Sequence, residues 1–252
     1  CNKKRFVKYV ETEINHYAES QYGRCDRETS CGYALYPTNN SIVSYDYAIT
    51  PPEKPSYIEK ETLQKTLTKY EINPLVSYLY THYSEKEVKS AIDKYHLGTA
   101  KMFNGAAIFW QKDDTGNIRT GKIMAYDTST GKRLKANDGK PLISWVHSVL
   151  KKPNYNLKQC LFGLHLLNET IKQIAVVESE KTALIMSLEF PHYTWMSTGS
   201  LQGFKYEYVA PLKGKDITAF PDKGAYNKWK ETADALNNKG FSIEVSKLLE
   251  KK

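Results

Sequence analysis

Two acidic residues in the C-terminal third of the sequence stand at the predicted ends of buried strands. Glu178 follows the apolar run IAVV, and Asp222 follows the run ITAF and a proline. Carboxylates are hard oxygen ligands, and Mg²⁺ is often held by only one or two of them. Glu178 and Asp222 are therefore candidates for a catalytic Mg²⁺ or Mn²⁺ site. Glu178 alone would equally suit the start of a helix, where a negative charge is favourable.

The segments around these two acids alternate between predicted strands and helices from residue 173 onward. QIAVVE, YTWMS, KDITAFPD and SIEVSKL are predicted strands, and EKTALIMSLEF and AYNKWKETADALNNKG are predicted helices. This alternation is typical of an open, mainly parallel sheet with helices on both faces. Ligands bind such sheets at the carboxyl ends of the strands. Glu178 and Asp222 should therefore converge at one edge of the sheet.

Three of the four cysteines lie near the N-terminus, where their chemistry could be zinc binding. Cys25 and Cys31 bracket a polar turn and form one candidate knuckle, and Cys1 is half of a second. Structural zinc sites use four Cys or His ligands in a tetrahedron. Because the chain starts at Cys1 and not at Met, we expect the fourth ligand upstream, with His16 as the alternative. Three unrelated thiols are the other interpretation, and Cys160 is expected to be a buried core residue.

Helix signals come before the α/β segment. Ser56 with Glu59 and Ser84 with Glu87 have the spacing of a capping box. Asn73 precedes a proline, which favours a helix start at that proline. We therefore expect helices to begin at these three places.

A basic β-meander is predicted after these helices. GAAIFWQKD, RTGKIMAYD and GKRLK are predicted strands, joined by turns that contain glycine. The interpretations are a phosphate-binding surface and a merely solvated sheet face. Five basic residues form the predicted rim of the meander: Arg119, Lys122, Lys132, Arg133 and Lys135.

Composition limits the class of protein. The 252 residues carry a formal net charge of +8 and 12% aromatic residues, which together favour a polyanionic partner such as nucleic acid. No apolar stretch approaches the roughly 20 residues that span a bilayer, and no signal peptide is visible. Four cysteines in a chain of this length are no disulfide framework. We therefore expect a cytoplasmic protein with no membrane partner.

The acid-bearing segments resemble the Toprim domain of bacterial primases, topoisomerases and related nucleases. VVESEKTAL is similar to the first Toprim motif, TGSLQG to its glycine turn, and FPDKGAYNKW to its D-x-D motif. The order of zinc ribbon, basic β-rich middle and Toprim resembles replicative primases. The phrases RTGKIMAYDTSTGKRLK, WVHS and CLFGLHLL are most similar to primase-like proteins of bacterial mobile elements.

The resemblance implies roles for individual residues. Glu178 would act as a general acid or base, and Asp222 would bind the catalytic metal. Two positions depart from the family pattern: Ser179 replaces a glycine, and the D-x-D motif is reduced to a single aspartate followed by Lys223 and a glycine. Glu180 could replace the missing carboxylate or only compensate a helix dipole. Lys181 could contact a phosphate or lie in solvent.

The predicted fold class is α/β, mixed α+β overall, with a zinc ribbon, a β-rich middle region with helices and a C-terminal Toprim-like open parallel sheet. Predicted boundaries are 1–36 for the ribbon, 37–58 for a linker, 59–168 for a primase-core-like region and 169–252 for the Toprim-like domain. We expect structural Zn²⁺ and catalytic Mg²⁺ or Mn²⁺.

Three functions remain open at this point. The first is a primase-like nucleotidyltransferase of a mobile element that binds single-stranded DNA and nucleotides. The second is a catalytically degenerate binding module that recruits a helicase or relaxase. The third is a Toprim-type nuclease. Because the chain lacks the G-x-x-x-x-G-K-[ST] motif, ATP-driven unwinding would come from another chain.

Overall fold

The computed structural model describes residues 6–11, 16–25, 33–37, 54–169 and 173–251. The chain divides into two compact units, Cys1–Lys54 and Pro55–Lys252. Cys1 and Cys31 lie outside the described residues, as does most of the predicted linker. The division into four segments stays a prediction.

The N-terminal unit contains short antiparallel strands. The first, fourth and fifth strands form one sheet and the second and third form a hairpin, as the alternation of aromatic and polar residues suggests. Cys25 ends the fourth strand and is buried, with 4% of its surface exposed. The strands are β1 Phe6–Lys8, β2 Val10–Glu11, β3 His16–Tyr17, β4 Gly23–Cys25 and β5 Ala34–Leu35.

The second unit begins with helices. Two start as predicted: the Asn73 side chain accepts hydrogen bonds from the next helix's first turn, and Ser84 with Glu87 forms a full capping box. The capping box predicted for Ser56 is wrong, because that helix starts later and Ser56 Oγ instead accepts a 3.0 Å hydrogen bond from the backbone of Asn156. The helices are α1 Lys60–Gln64, α2 Pro74–Tyr80 and α3 Glu85–Tyr95, with a 3-10 helix at Tyr70–Ile72.

An antiparallel sheet in the order β6-β7-β8-β9 follows. Its two edge strands are Gly98–Thr99 and Ile143–Trp145, and the prediction of GKRLK as a strand is wrong. That segment pairs only through isolated bridges, because the Asp127 side chain ties the preceding residues into a turn and Gly131 has a positive φ of 62°. The elements are β6 Gly98–Thr99, the 3-10 helix Met102–Asn104, β7 Ala107–Lys112, β8 Ile118–Met124, β9 Ile143–Trp145 and α4 Val146–Val149.

The C-terminal segment is the predicted open parallel sheet, in the strand order Thr194–Ser197, Ile174–Val177, Asp216–Phe220 and Ser242–Val245. Its central strands are short, and one of them, Ile174–Val177, is apolar and buried along its whole length. Mixed α+β architecture with a C-terminal open parallel sheet is therefore confirmed. The strands are β10 Ile174–Val177, β11 Thr194–Ser197, β12 Asp216–Phe220 and β13 Ser242–Val245. The helices are α5 Glu180–Glu189, α6 Tyr206–Val209 and α7 Tyr226–Asn237, with 3-10 helices at Leu164–Glu169, Leu201–Gly203, Ala210–Leu212 and Leu248–Lys251.

A hydrophobic core joins the helices, the antiparallel sheet and one face of the parallel sheet. Leu79 of α2, Phe109 of β7, Val177 of β10 and Trp195 of β11 all belong to this one buried cluster. The opposite face of the parallel sheet packs on α7 through Trp229. The two sheets of the second unit therefore hold fixed positions relative to each other, which matters for side chains that lie between them.

Candidate active site

Glu178 and Asp222 follow neighbouring parallel strands. β10 pairs with β12 in parallel, with Val177 opposite Phe220, so the residues that come after both strands lie at the same edge of the sheet. Glu178 is half-buried and Asp222 is exposed. The topology thus brings the two acids together at the carboxyl ends of β10 and β12, where parallel sheets bind ligands.

The pKa of the Glu178 carboxyl depends on the charge of Asp222. Burial and the negative charge of Asp222 raise the pKa of the Glu178 carboxyl above its ordinary value. Three opposing contributions are the positive charges of Arg133 and Lys122 and a hydrogen bond from the backbone N–H of Leu201. The helix cap position belongs to Ser179. Glu178 is therefore a carboxyl placed among several charges at the sheet edge.

Lys122 is buried and paired. Its Nζ donates to both carboxylate oxygens of Glu180, at 3.0 and 3.3 Å, and to the carbonyl oxygen of Gly199 at 2.8 Å. The prediction that Lys122 lies on an exposed basic rim is wrong, because its ammonium pairs with the buried Glu180 of α5. Glu180 is 1% exposed and therefore has no solvated carboxylate with which to replace the missing acid of the D-x-D motif.

Gly199 lies between these groups. Its backbone N–H donates to the carbonyl oxygen of Glu178 at 2.8 Å, and its φ is +76°. A Cβ at this position would come 3.0 Å from Glu180 Oε1. The predicted glycine turn thus fits a place where a side chain would be both strained and crowded.

Arg133 and Lys181 bring further positive charge to the same edge. The charge of Arg133 reaches Glu178, and it also helps burial to lower the pKa of Lys181. Lys181 Nζ donates to the carbonyl oxygen of Gly131 at 2.7 Å and lies 5.8 Å from the centroid of the Tyr126 ring. Lys181 therefore spans from α5 to the loop that carries Arg133, and its contact with a phosphate stays a prediction.

The other predicted phosphate-binding residues lie in different settings. Lys132 and Lys135 are exposed on the loop after β8. Arg119 Nε donates to Asp113 Oδ2 at 2.7 Å, and its guanidinium lies 5.0 Å from the centroid of the Tyr57 ring. Arg119 is therefore engaged in a turn of the protein itself. A role in phosphate binding stays a prediction for all three residues.

Glu250, near the C-terminal end of the sequence, binds the backbone of the loop that carries Asp222. Glu250 Oε1 accepts hydrogen bonds from the backbone N–H groups of Gly224 at 2.8 Å and of Tyr226 at 3.3 Å. These donors lie at the start of α7, where the helix dipole favours an anion. Glu250 thus holds the turn that follows Asp222, a role that the sequence motif did not reveal.

The donor set at the sheet edge fits a divalent cation. Burial and, second to it, the charge of Asp222 raise the pKa of Glu178, and a cation between the two carboxylates would offset the repulsion between them. Within the described ranges, no group of three or more His, Cys, Asp or Glu side chains is arranged to hold a metal ion. The remaining ligands of a Mg²⁺ ion would have to be water and substrate oxygens, which is usual for this metal.

Cys160 is buried, as the sequence predicts, whereas two histidines in apolar segments, His147 and His165, are half-buried. Burial lowers the pKa of His165 to about 4. Burial raises the pKa of Cys160 to about 12. His147 is only half-buried and stacks on Tyr155.

No helix in the described part of the chain is both long and apolar enough to cross a membrane.

Two family models match the chain. Residues 73–223 match a domain of unknown function, DUF6371. Residues 1–44 match a zinc beta-ribbon finger. No curated protein is significantly similar in sequence. The second match supports the predicted zinc ribbon, since it covers Cys1, Cys25 and Cys31.

Solved structures with a similar fold are primase domains. The RNA polymerase domain of the Mycobacterium tuberculosis primase DnaG aligns with a TM-score of 0.52 at 14% identity, over 74% of this chain and 73% of that one. The catalytic core of the E. coli primase aligns with a TM-score of 0.47 at 13% identity, over 73% of this chain and 69% of that one. The first alignment shows that the chain has a primase-like fold, which confirms the predicted fold class.

Proposed function

The chain belongs to the DUF6371 family, and on the primase-like fold of its second unit we propose that it is a primase-related protein that works on single-stranded DNA. The observation that carries this proposal is the position of Glu178 and Asp222 at the ends of adjacent parallel strands. We propose further that this edge is a Toprim-type site for metal-dependent nucleotidyl transfer. A mobile element and the cytoplasm remain the proposed setting.

The proposed chemistry assigns a task to each group. Glu178 and Asp222 would hold Mg²⁺ or Mn²⁺, which when bound would neutralise charge on a nucleotide triphosphate. Glu178 would also act as the general acid or base that the Toprim resemblance implies, by accepting a proton from an attacking hydroxyl. Arg133 and Lys181 would bind phosphate oxygens at the same edge. Lys122 would instead fix the position of Glu180 and the glycine turn.

A binding module without catalysis is the second candidate, and one observation favours it. Glu180 is tied to Lys122 and cannot supply the third carboxylate. Gly224 stands where the D-x-D motif of the resembled Toprim family has its second aspartate, so the site has one acid fewer than that motif. Under this alternative the protein would bind single strands and recruit a helicase or relaxase. A Toprim-type nuclease uses the same acids and is the third candidate.

A primer-synthesis assay distinguishes these functions. The protein with its complete zinc ribbon is incubated with single-stranded DNA, labelled nucleotides and Mg²⁺ or Mn²⁺. Labelled short products that disappear in Glu178→Gln support the enzyme, provided that the variant still binds single strands. Shortening of a labelled template indicates the nuclease.

A matched variant controls for the removal of a carboxylate. Glu207→Gln removes an acid from α6, and we expect it to make as much product as the wild type. If the wild type binds single strands and makes no product with either metal, the enzyme is excluded and the binding module stands. If it binds no single strand, both proposals fail.

A further inference from the structure

Three aromatic rings form a row on the antiparallel-sheet side of the molecule. Trp145 ends β9, His147 lies in α4, and Tyr155 follows that helix. The ring centroids of Trp145 and His147 are 6.2 Å apart, and those of His147 and Tyr155 are 5.2 Å apart with an angle of only 13° between the planes. All three residues are half-buried, and Tyr155 also packs against a buried cluster of the antiparallel sheet.

This aromatic row starts beside the candidate active site. Trp145 is the cross-strand partner of Lys122, whose Nζ lies 5.9 Å from the centroid of the indole ring. Lys122 binds the carbonyl oxygen of Gly199, and the N–H of Gly199 binds the carbonyl oxygen of Glu178. A continuous set of contacts therefore leads from Glu178 to Trp145 and along the row to Tyr155.

The surroundings of the row are apolar and positively charged. Residues 141–160 contain three lysines and no aspartate or glutamate. Lys151 and Lys158 are exposed, and Lys152 pairs with Glu59. Val149 and Leu150 next to the row are 44% and 42% exposed. Aromatic faces flanked by positive charge match a ligand that has both flat rings and negative charges.

We propose that Trp145, His147 and Tyr155 form a stacking track for the bases of a single strand that enters the Glu178 site. This inference rests on the proposed function and adds to it the place where the strand lies. A single strand is favoured over a duplex because its bases have free faces to stack on side chains, whereas duplex bases stack on each other. The basic residues around the row would bind the phosphates of the same strand.

Trp145 provides its own readout. The other three tryptophans, Trp110, Trp195 and Trp229, are at most 1% exposed, so an oligonucleotide that stacks on a tryptophan can only reach Trp145. We expect tryptophan fluorescence to be quenched when a 12-nucleotide DNA single strand is titrated into the protein. Trp145→Phe should abolish this quenching while most of the affinity remains, because phenylalanine still offers a ring.

Affinity measurements then test the energetic role of the row. Trp145→Ala and Tyr155→Leu should each weaken single-strand binding by about tenfold, as expected for the loss of one stacked base. Tyr206→Ala is the matched control, since Tyr206 is also an accessible aromatic residue, 50% exposed, but lies on α6 away from the row. An oligonucleotide of the same length with abasic sugars keeps the phosphates but loses every stacked base, so it should bind the wild type more weakly than the normal strand binds Trp145→Ala.

The outcomes separate the track from the function. If the wild type binds no single strand, the proposed function fails and the track with it. Two results together would overturn only the track. Trp145→Ala would bind the normal strand as tightly as the wild type does, and the wild type would bind the abasic strand as tightly as the normal one. The same conclusion follows if a duplex quenches the fluorescence as strongly as the single strand.

Discussion

Lys122 and Glu180 form a buried ion pair between two sheets of the protein, with a distance of 3.0 Å from Nζ to Oε1. Lys122 comes from β8 of the antiparallel sheet, and Glu180 begins the helix that follows β10 of the parallel sheet. Because the ammonium also binds the carbonyl oxygen of Gly199, three elements meet at this one charge. The pair thus positions the glycine turn beside Glu178.

Removal of one partner of this pair should destabilise the protein strongly. Glu180→Ala leaves the Lys122 charge buried and unpaired, and we expect a loss of about 3–5 kcal/mol in the free energy of unfolding. The double variant Lys122→Met with Glu180→Leu removes both charges and should recover most of this loss. Urea denaturation measures the free energy of unfolding of the wild type, of Glu180→Ala and of the double variant. Glu85→Ala breaks the exposed Glu85–Lys89 pair and serves as a control with little effect. A single variant as stable as the wild type would contradict the burial of the pair.

Asp222→Asn should lower the pKa of the Glu178 carboxyl, since the charge of Asp222 is one cause of its raised value. A raised pKa in the folded state means that native Glu178 holds its proton more tightly than the unfolded chain does. Its contribution to stability is present below the ordinary value of 4.5 and is lost as pH rises through the folded pKa. We expect this loss to be smaller in Asp222→Asn. NMR titration of the Glu178 carboxyl carbon measures the pKa directly.

Added Mg²⁺ should act on the same titration. A cation held by Glu178 and Asp222 competes with the proton, so it should lower the pKa of Glu178 in the wild type. In Asp222→Asn the shift should be much smaller because one ligand is lost. An identical shift in both proteins would mean that Mg²⁺ does not bind between these two residues.

The N-terminal ribbon should bind one Zn²⁺ when its ligands are complete. Cys25→Ser should reduce the zinc content, measured by metal analysis of the purified protein, because a hydroxyl is a poor replacement for a thiolate ligand. Cys160→Ser is the matched control and should leave the zinc content unchanged, since Cys160 lies in the other compact unit. Zinc-free wild-type protein would refute the ribbon's metal site.

Cys160 should resist alkylation in the native protein. Burial raises the pKa of its thiol to about 12, so almost none of it is thiolate at pH 8. Mass spectrometry after treatment with iodoacetamide should find Cys160 unlabelled in the folded state and labelled after denaturation. Rapid labelling of the folded protein would show that the site opens readily.

Single-strand affinity should fall with salt, and exposed lysines near the site should contribute to that dependence. Each phosphate contact adds about 0.7 to the slope of log affinity against log salt for single strands. Lys132→Glu and Lys135→Glu should weaken binding and flatten this slope. Lys86→Glu, on the exposed side of α3, reverses a charge away from the site and is the control. An unchanged slope in both test variants would leave the loop after β8 as a solvated surface.

The parallel sheet and its two acids could be predicted because their signals are local. IAVV and ITAF are short apolar runs, and the acid that follows each run must lie at the carboxyl end of a strand. Topology then brings Glu178 and Asp222 to one edge. The capping signals of Asn73 and Ser84 are equally local, since each side chain binds the backbone of the next few residues.

The setting of Lys122 could not be predicted, because its partner lies 58 residues away in another element. A lysine in an alternating strand is usually solvated, and only the tertiary fold brings an acid to it. The prediction of GKRLK as a strand is wrong for a different reason. Its alternation suits a strand, but the turn at Asp127 and the positive φ of Gly131 keep it from regular pairing. The aromatic row likewise depends on how β9 and α4 follow each other in space.

The shared hydrophobic core has a practical consequence for dissecting the protein into fragments. A cut near residue 168 would separate Phe109 from Val177 and Trp195, which belong to one buried cluster, and would leave Lys122 and Glu180 without each other. A fragment limited to the matched family region 73–223 would lack α7, whose Trp229 covers the other face of the parallel sheet. Expression trials and protease mapping should therefore start from the fragment Pro55–Lys252, which keeps both hydrophobic clusters intact.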